Sequence, residues 1–302
     1  MNSLEEKPNK YKSLKDQLSN NKIILAPGCY DAFSAMLISN CGFEAAYLTG
    51  ASIAYTRLGR PDIGLVSMTE VSNTISLIKE RTNIPLIVDG DTGFGNALNV
   101  IRTVKLFEMA GANAIQLEDQ TLPKRCGHLK GKNLVSSSEM VGKIKAAVDT
   151  RNNQEFLIVA RTDSIAVEGF ESAIERGSKY VEAGADVLFI EAPEDDKQQK
   201  TIPEIFKNKI PLLANMVEGG STPLKNANEL ESIGYSIVIF PGGLIRAFTH
   251  MALEYFASLK KHGSNEPFYP RMLDFNQLNE LLGTEEIINI GKKYDLSSSK
   301  NK

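Results

Sequence analysis

The feature that most constrains this chain is a rhythm of short apolar runs, nearly every one of which stops at a polar residue. In order they span 23–26, 45–48, 86–88, 114–117, 157–160, 187–190, 212–214 and 236–240. Near-continuous apolar positions mean strands covered on both faces, which is the habit of parallel sheets. Helical spacing fills most of the gaps, as over 100–110 and 172–183, and a last helix is expected over 244–261. Strand and helix in alternation build a βα architecture. A helix end, a glycine and a new strand recur at Cys41-Gly42-Phe43, Ala110-Gly111-Ala112, Ala183-Gly184-Ala185 and Ile233-Gly234-Tyr235. Glycine suits that junction because it enters the left-handed conformation without a Cβ clash. Eight runs and four such junctions predict an α/β fold of the (β/α)8 TIM-barrel type. No Gly-x-Gly-x-x-Gly follows the first run, which removes the main reason to prefer a dinucleotide fold. At 302 residues the chain is read as one barrel domain over 1–302 with a C-terminal helical extension, since barrels reach this length as single units. The tail from Leu296 is expected to fray.

Charge and cysteine usage remove several function classes. A net charge of −3 and the absence of tryptophan give no basic face or stacking platform, so no nucleic-acid partner is expected. No apolar run approaches the roughly 20 residues that span a bilayer, so no membrane partner is expected either. Cys29, Cys41 and Cys126 are too few and too scattered for a disulfide framework, which fits a reducing compartment. The N-terminal stretch carries acids and lacks an apolar core, so neither a secretory nor a transit signal is expected, and a cytoplasmic location follows. Cys29 and Cys41 read as small buried hydrophobes.

Barrel function gathers where strands end. The first polar residues past each run are Asp31, Thr49, Asp89 with Asp91, Glu118, Arg161, Glu191, and Asn215 with Glu218. So many ionisable groups on one face are costly to desolvate without a cation or an anionic ligand. Asp89-Gly90-Asp91 is open to two readings: carboxylates for a hard divalent ion, with water completing the shell, or an acidic turn capping the next helix. Arg161 suits bidentate recognition of a carboxylate, and equally a structural ion pair with Glu118 or Glu191. Glu191 is a candidate to orient His128 or the substrate. Asn215 and Thr222 are candidate hydrogen-bonding partners of a second carboxylate, or loop caps.

The string Lys124-Arg125-Cys126-Gly127-His128, followed by Lys130, Gly131 and Lys132, has no hydrophobic period and reads as a flap over an anionic substrate. A thiol titrating near ~8.5 is mostly protonated at neutral pH and able to donate, and neighbouring cations, Lys124 among them, favour the thiolate left behind. A nucleophilic cysteine normally has an oriented base, so the acid and the nucleophile both stay open on these residues alone. No lysine ends a predicted strand, which speaks against a Schiff-base aldolase.

These strings, in this order, resemble the isocitrate lyase and phosphoenolpyruvate mutase superfamily from about Leu25 to Tyr294. The resemblance is carried by Pro27-Gly28-x-Tyr30-Asp31, Tyr47-Leu48-Thr49-Gly50, Gly59-x-Pro61-Asp62-x-Gly64, Asp89-x-Asp91-Thr92-Gly93, Glu118-Asp119-Gln120, the flap string, Ala160-Arg161-Thr162-Asp163 and Asn215-Met216-Val217-Glu218. It implies a barrel whose last helix is exchanged between subunits, usually in a homotetramer, and a Mg2+ ion held by Asp89 directly and by Asp91 and Glu118 through water. It further implies that Tyr47, the Thr49-Gly50-Ala51 backbone and Asp62 hold a pyruvate-like half of the substrate. The flap cysteine is similar to the carbon–carbon lyase branch, where it is the general acid. Arg246 resembles the methylisocitrate lyases, whereas Ile190-Glu191-Ala192-Pro193 and Val217-Glu218-Gly219-Gly220 resemble the dimethylmalate type. The expected activity is Mg2+-dependent cleavage of a 2-hydroxy di- or tricarboxylate to pyruvate and a second acid, with Cys126, His128, Arg161 and Lys124 as catalytic groups. The alternative within the superfamily is phosphonate rearrangement or hydrolysis, or oxaloacetate decarboxylation, whose enzymes generally lack that cysteine.

Overall fold

Eight parallel strands hydrogen-bond in chain order and the eighth returns to the first, closing the barrel. The computed structural model describes residues 11–20, 22–127, 129 and 131–295. His128 and Lys130 of the predicted flap, the first ten residues and the tail from Leu296 lie outside the described residues. The strands are β1 Ile24–Cys29, β2 Ala46–Leu48, β3 Leu86–Asp89, β4 Ala114–Glu118, β5 Leu157–Thr162, β6 Val187–Ile190, β7 Leu212–Asn215 and β8 Ile237–Phe240. Every expected run is a strand. Several extend beyond the apolar run because a backbone ladder does not read side-chain polarity: Asp89 pairs with Gln116 and Glu118 with Arg161 in register. The mouth residues therefore sit on strand backbone, which is stiffer than loop.

Successive side chains on a strand point to opposite faces, and the core divides by that parity. Ile24, Ala26, Tyr47, Ile87, Ala114, Leu157, Val159, Val187, Phe189, Leu213, Ile237 and Ile239 fill the barrel interior, with Leu14 of a short preceding helix packed among them. The alternate residues, such as Leu48, Val88, Leu117, Ile158, Ala160 and Leu188, pack outward against Val71, Ile75, Phe107, Ile144, Tyr180 and Phe206 of the surrounding helices. Continuing the inner column upward leads from Ile87 to Asp89 and Asp91, from Ala114 to Gln116 and Glu118, and from Val159 to Arg161 and Asp163. An apolar plug below and a polar mouth above thus follow from one period-two pattern.

The helices begin at side-chain caps. Asp31 accepts the Ser34 amide at 2.7 Å, and Asn96 caps the helix Ala97–Ala110. Asp31, at the first strand end, therefore serves a helix, while the capping alternative for Asp89 and Asp91 fails because Asn96 holds that position. The repeated junction glycines do enter the left-handed region, with φ of 83° at Gly42, 101° at Gly111, 99° at Gly184 and 109° at Gly234. Cys29 is buried as expected, but Cys41 is exposed, because it lies at the C-cap of the helix Ala32–Asn40 and not on its packed face.

The chain divides into two compact units, Met1–Ile245 and Arg246–Lys302. The second holds most of the helix Gly243–His262, a 3-10 turn Glu266–Arg271 and the helices Phe275–Leu282 and Thr284–Lys293. Within it Phe268 is buried against Tyr255, with ring centroids 5.5 Å apart. Phe248, Leu253, Phe256, Phe275 and Ile287 stay exposed. Among the described residues no helix is long and apolar enough to cross a membrane.

Candidate active site

At the C-terminal mouth, Asp62, Asp89, Asp91, Glu118, Asp163 and Glu191 are all buried, and so are Lys124, Lys132 and Arg161. Six acids against three cations leave an excess of negative charge in a low-dielectric site. Burial accordingly pushes Asp91 up to about 7; the Lys124 ammonium opposes that rise, and Asp89 and Asp62 add to it. Burial likewise pushes Glu118 well above the carboxylate range, against the pull of Arg161. Asp91 is also held in the left-handed region, at φ 47°, which Asp tolerates better than most residues and which marks sites where backbone strain serves a geometry.

Lys124 is a fixed cation here. Its Nζ lies 2.6 Å from Asp62 Oδ1 and 2.6 Å from Asp91 Oδ1. Burial opposes its charge, but Asp91, Asp89, Asp62 and Glu118 outweigh that and hold the ammonium well above the usual lysine range. It offsets part of the negative charge of these acids. Asp89 is oriented from below: Tyr47 Oη donates to Gln116 Oε1 at 2.9 Å, and Gln116 Nε2 donates to Asp89 Oδ1 at 3.4 Å. The Gly50 amide donates to Asp89 Oδ2 at 3.4 Å. Tyr47 is buried, and its hydroxyl reaches Asp89 through Gln116.

These groups suit a divalent ion of the Mg2+ kind. Glu118 Oε1 is buried with no hydrogen-bond partner, and the excess of acid calls for positive charge. Among the described residues no three acidic, histidine or cysteine side chains gather closely enough to hold an ion directly. Mg2+ usually keeps several waters and takes one or two carboxylates, so Asp89 as the direct ligand, with Asp91 and Glu118 reached through water, agrees with both facts. Groups that orient a metal ligand typically carry 10–100-fold in affinity. Gln116→Leu is therefore expected to weaken Mg2+ binding by about 10–100-fold, read by titration calorimetry; unchanged affinity would remove Gln116 from this role.

Arg161 is the hub of the opposite wall. Its Nε and Nη2 donate to Asp163 Oδ2 and Oδ1 at 2.9 Å each. Nη1 lies 3.3 Å from Glu118 Oε2, and Nη2 lies 3.3 Å from Glu191 Oε2. The bidentate fork expected to grip a substrate carboxylate is presented to Asp163, two residues on and on the same strand face. The structural ion pairs with Glu118 and Glu191 both form. Asn215 Nδ2 donates to Glu191 Oε2 at 3.0 Å, while Asn215 Oδ1 and Thr222 Oγ1 are buried without hydrogen-bond partners. Neither Asn215 nor Thr222 caps a helix; that role falls to Asn226. Thr49, by contrast, does cap, accepting the Ser52 amide at 3.4 Å, and Ala51 lies in the same short helix Gly50–Ile53. Glu218 is exposed.

The loop carrying Cys126 is seated on this mouth. The Cys126 amide donates to the Asp62 carbonyl at 3.3 Å, and the thiol-bearing residue is half-buried. A Cβ on Gly127 would lie 2.4 Å from Arg161 Nη2 and 2.8 Å from Glu191 Cγ. Only glycine lets the backbone approach the Arg161–Glu191 pair this closely. Lys132, expected over an anionic substrate, is instead buried and paired with Asp163 Oδ1 at 3.1 Å. His128 lies outside the described residues, and Arg246 belongs to the second unit.

Reading first polar residues past each run missed Gln116, Asp119, Asp163 and Lys132. Gln116 precedes Glu118 by two positions and Asp163 follows Arg161 by two, so strand parity was a usable signal for both. Asp119, of opposite parity to Glu118, faces outward: Thr162 Oγ1 and Tyr180 Oη each donate to its Oδ2 at 2.7 Å, Arg176 Nη1 does so at 3.2 Å, and the Asp163 amide donates to Oδ1 at 2.9 Å.

Comparison with known proteins places this geometry. A profile of the phosphoenolpyruvate phosphomutase family matches residues 14–260. The 2,3-dimethylmalate lyase of Eubacterium barkeri is 46% identical, over 93% of this chain and 96% of that protein. A 2-methylisocitrate lyase of Aeropyrum pernix is 43% identical, over 89% of this chain and 86% of its own. The crystal structure of a 2,3-dimethylmalate lyase superposes with a TM-score of 0.88 at 33% identity, covering 96% of each chain. That of a phosphonopyruvate hydrolase with oxalate and Mg2+ superposes with a TM-score of 0.83 at 30% identity, over 93% of this chain and 98% of its own.

Proposed function

The chain belongs to the phosphoenolpyruvate phosphomutase family, as a carbon–carbon lyase of it, and from that premise we propose that it cleaves a 2-hydroxy di- or tricarboxylate in a Mg2+-dependent reaction, releasing pyruvate and a second carboxylic acid. The observation that carries this reading is the loop around Cys126, tied to Asp62 at one end and seated through Gly127 on Arg161 and Glu191. A proton donor over an acid-rich mouth suits a reaction that breaks a C–C bond and must quench a carbanion.

When bound at Asp89, Asp91 and Glu118, the metal supplies Lewis-acid polarisation of the substrate's hydroxyl and adjacent carboxylate. The chain does the rest. Gln116 and the Gly50 amide hold Asp89 in place. The Lys124 ammonium, fixed between Asp62 and Asp91, keeps that wall from repelling an anionic substrate. Arg161 orients Glu118 and Glu191 and adds positive potential where negative charge develops, the effect that is usually the largest single contribution to catalysis; His128 is proposed to act beside it. Asn215 and Thr222 are proposed to bind the second carboxylate. As the bond breaks, the hydroxyl carbon becomes the ketone of pyruvate and the hydroxyl proton passes to one of the buried carboxylates of the mouth. The other fragment, an enolate-like carboxylate, takes one proton at carbon from Cys126 Sγ.

Incubating the protein and Mg2+ with racemic 2-methylisocitrate, 2,3-dimethylmalate and oxaloacetate tests the reading. Pyruvate from either of the first two is expected; turnover of oxaloacetate alone would contradict it. We further propose a homotetramer in the cytoplasm with the last helix exchanged between subunits, supported by the exposed Phe248, Phe256, Phe275 and Ile287 of the second unit. Sedimentation equilibrium is expected to give four chains per particle, and a monomer would contradict that.

A further inference from the structure

We propose that Lys132 is a positioning residue for Cys126, tying the exit of the acid-bearing loop to the Arg161 wall. The loop's entry is held by Lys124 on Asp62 and Asp91. Its base is stitched shut: Gln120 Nε2 donates to the Arg125 carbonyl at 2.8 Å, the Arg125 amide donates to Gln120 Oε1 at 2.9 Å, and the Thr121 amide donates to the Asn133 carbonyl at 2.8 Å. Past Cys126 the Leu129 amide donates back to the Cys126 carbonyl at 2.8 Å, a bond within the loop that does not reach the Arg161 wall. Lys132 does. Its Nζ donates to the Gly127 carbonyl, the residue next to the cysteine, and to Asp163 Oδ1 at 3.1 Å.

Burial is what gives this tie its force. The Lys132 side chain is 1% exposed and that of Asp163 is 0% exposed, so the pair exchanges little with water and is weakly screened by salt. Asp163 is itself immobile, gripped by two parallel bonds from Arg161 and by its own amide's bond to Asp119. Burial alone would raise its carboxyl, but Arg161 and Lys132 hold it below the usual carboxylate range. One ammonium therefore joins the carbonyl beside Cys126 to the residue that orients Arg161. A one-ångström drift of a reacting group can cost about 10²-fold in rate, so Lys132 can set turnover through this tie alone.

The inference rests on the reading of Cys126 as the acid, and its test is chosen to fail separately from that reading. In the full-length protein, alkylation of Cys126 by iodoacetamide is followed by peptide mass spectrometry, with exposed Cys41 as the internal reference. Charge-assisted hydrogen bonds in buried sites carry enough free energy for about a tenfold or larger change in a local opening equilibrium. Lys132→Met is expected to speed Cys126 labelling at least about tenfold relative to Cys41, and to lower kcat by a comparable factor with KM nearly unchanged. Lys132→Arg is expected to restore part of both. Unchanged Cys126 labelling in Lys132→Met overturns the proposal, and so does faster labelling of Cys29, Cys41 and Cys126 together, which reports general loosening. Faster Cys126 labelling with wild-type turnover supports the tie and strikes instead at Cys126 as the acid. If the Met variant does not accumulate, Lys132→Gln carries the same test.

Discussion

Cys126→Ser is expected to lower kcat by about 10²–10⁴-fold, the usual contribution of a general acid, while KM stays within a few-fold of wild type. The expectation follows from where the residue sits. Its amide is anchored to the Asp62 carbonyl at 3.3 Å, its neighbour Gly127 lies against Arg161 and Glu191, and Lys124 and Lys132 fix the segments on either side. Exchanging sulfur for oxygen leaves all of these backbone and lysine contacts in place, so substrate binding and loop position should survive. What changes is acidity: an alcohol gives up its proton far less readily than a thiol, and the carbanion-like fragment waits for its proton. Steady-state kinetics on the cleaved substrate, with product pyruvate as readout, checks the split. A nucleophilic cysteine would instead form a covalent adduct visible by mass spectrometry of the quenched wild-type enzyme, and none is expected.

Asp119→Ala is expected to cost about 3–5 kcal/mol of stability, the range for breaking a buried ion pair by removing one partner. Asp119 accepts from Thr162, Tyr180, Arg176 and the Asp163 amide. Burial and the Asp163 charge push its carboxyl up, against the bonds from the Asp163 amide, Thr162 and Tyr180, so the network as a whole need not be strongly stabilising. Removing the acceptor is a different matter, because it strands several buried donors at once, each worth about 1–3 kcal/mol when left unpaired. Arg176 retains Glu168, with Nε donating to its Oε2 at 2.8 Å, and this keeps the cost from being the full sum. For a chain of this size the loss corresponds to a drop of roughly 5–8 °C in Tm, read by thermal unfolding, and Asp119→Asn should lose less. A drop below about 1 °C would show that the donors find water or other partners.

The barrel was legible because it is written twice, in apolar runs that end at polar residues and in the glycines that close the intervening helices. The polar residue that stops each apolar run then carried the mouth: Asp89, Glu118 and Asn215 end β3, β4 and β7, and Arg161 is the last residue but one of β5. What the chain order hides is pairing across strands. The Arg161–Glu118 pair was in reach of the sequence, but nothing in Leu-Glu-Asp-Gln says that Asp119 turns outward to Arg176 and Tyr180, although period two requires a face opposite to that of Glu118. Lys124 and Lys132 read in sequence as cations of a flap over an anionic substrate, and only the closed barrel brings Asp62, Asp91 and Asp163 within reach to bury them. Tyr47 stands in a motif with Thr49 and Gly50, but nothing in that motif says that its hydroxyl bonds Gln116. Asp31 and Thr49 end strands as site residues do, but they are spent on helix caps.

The most direct test of Cys126 as the proton donor is a crystal structure of the wild-type enzyme with Mg2+ and both cleavage products bound. The account predicts Cys126 Sγ about 3–3.5 Å from the carbon that has received the hydrogen, the separation of groups poised to react, with Lys132 still bonded to the Gly127 carbonyl. A thiol turned away from that carbon, with another acid in its place, would contradict it.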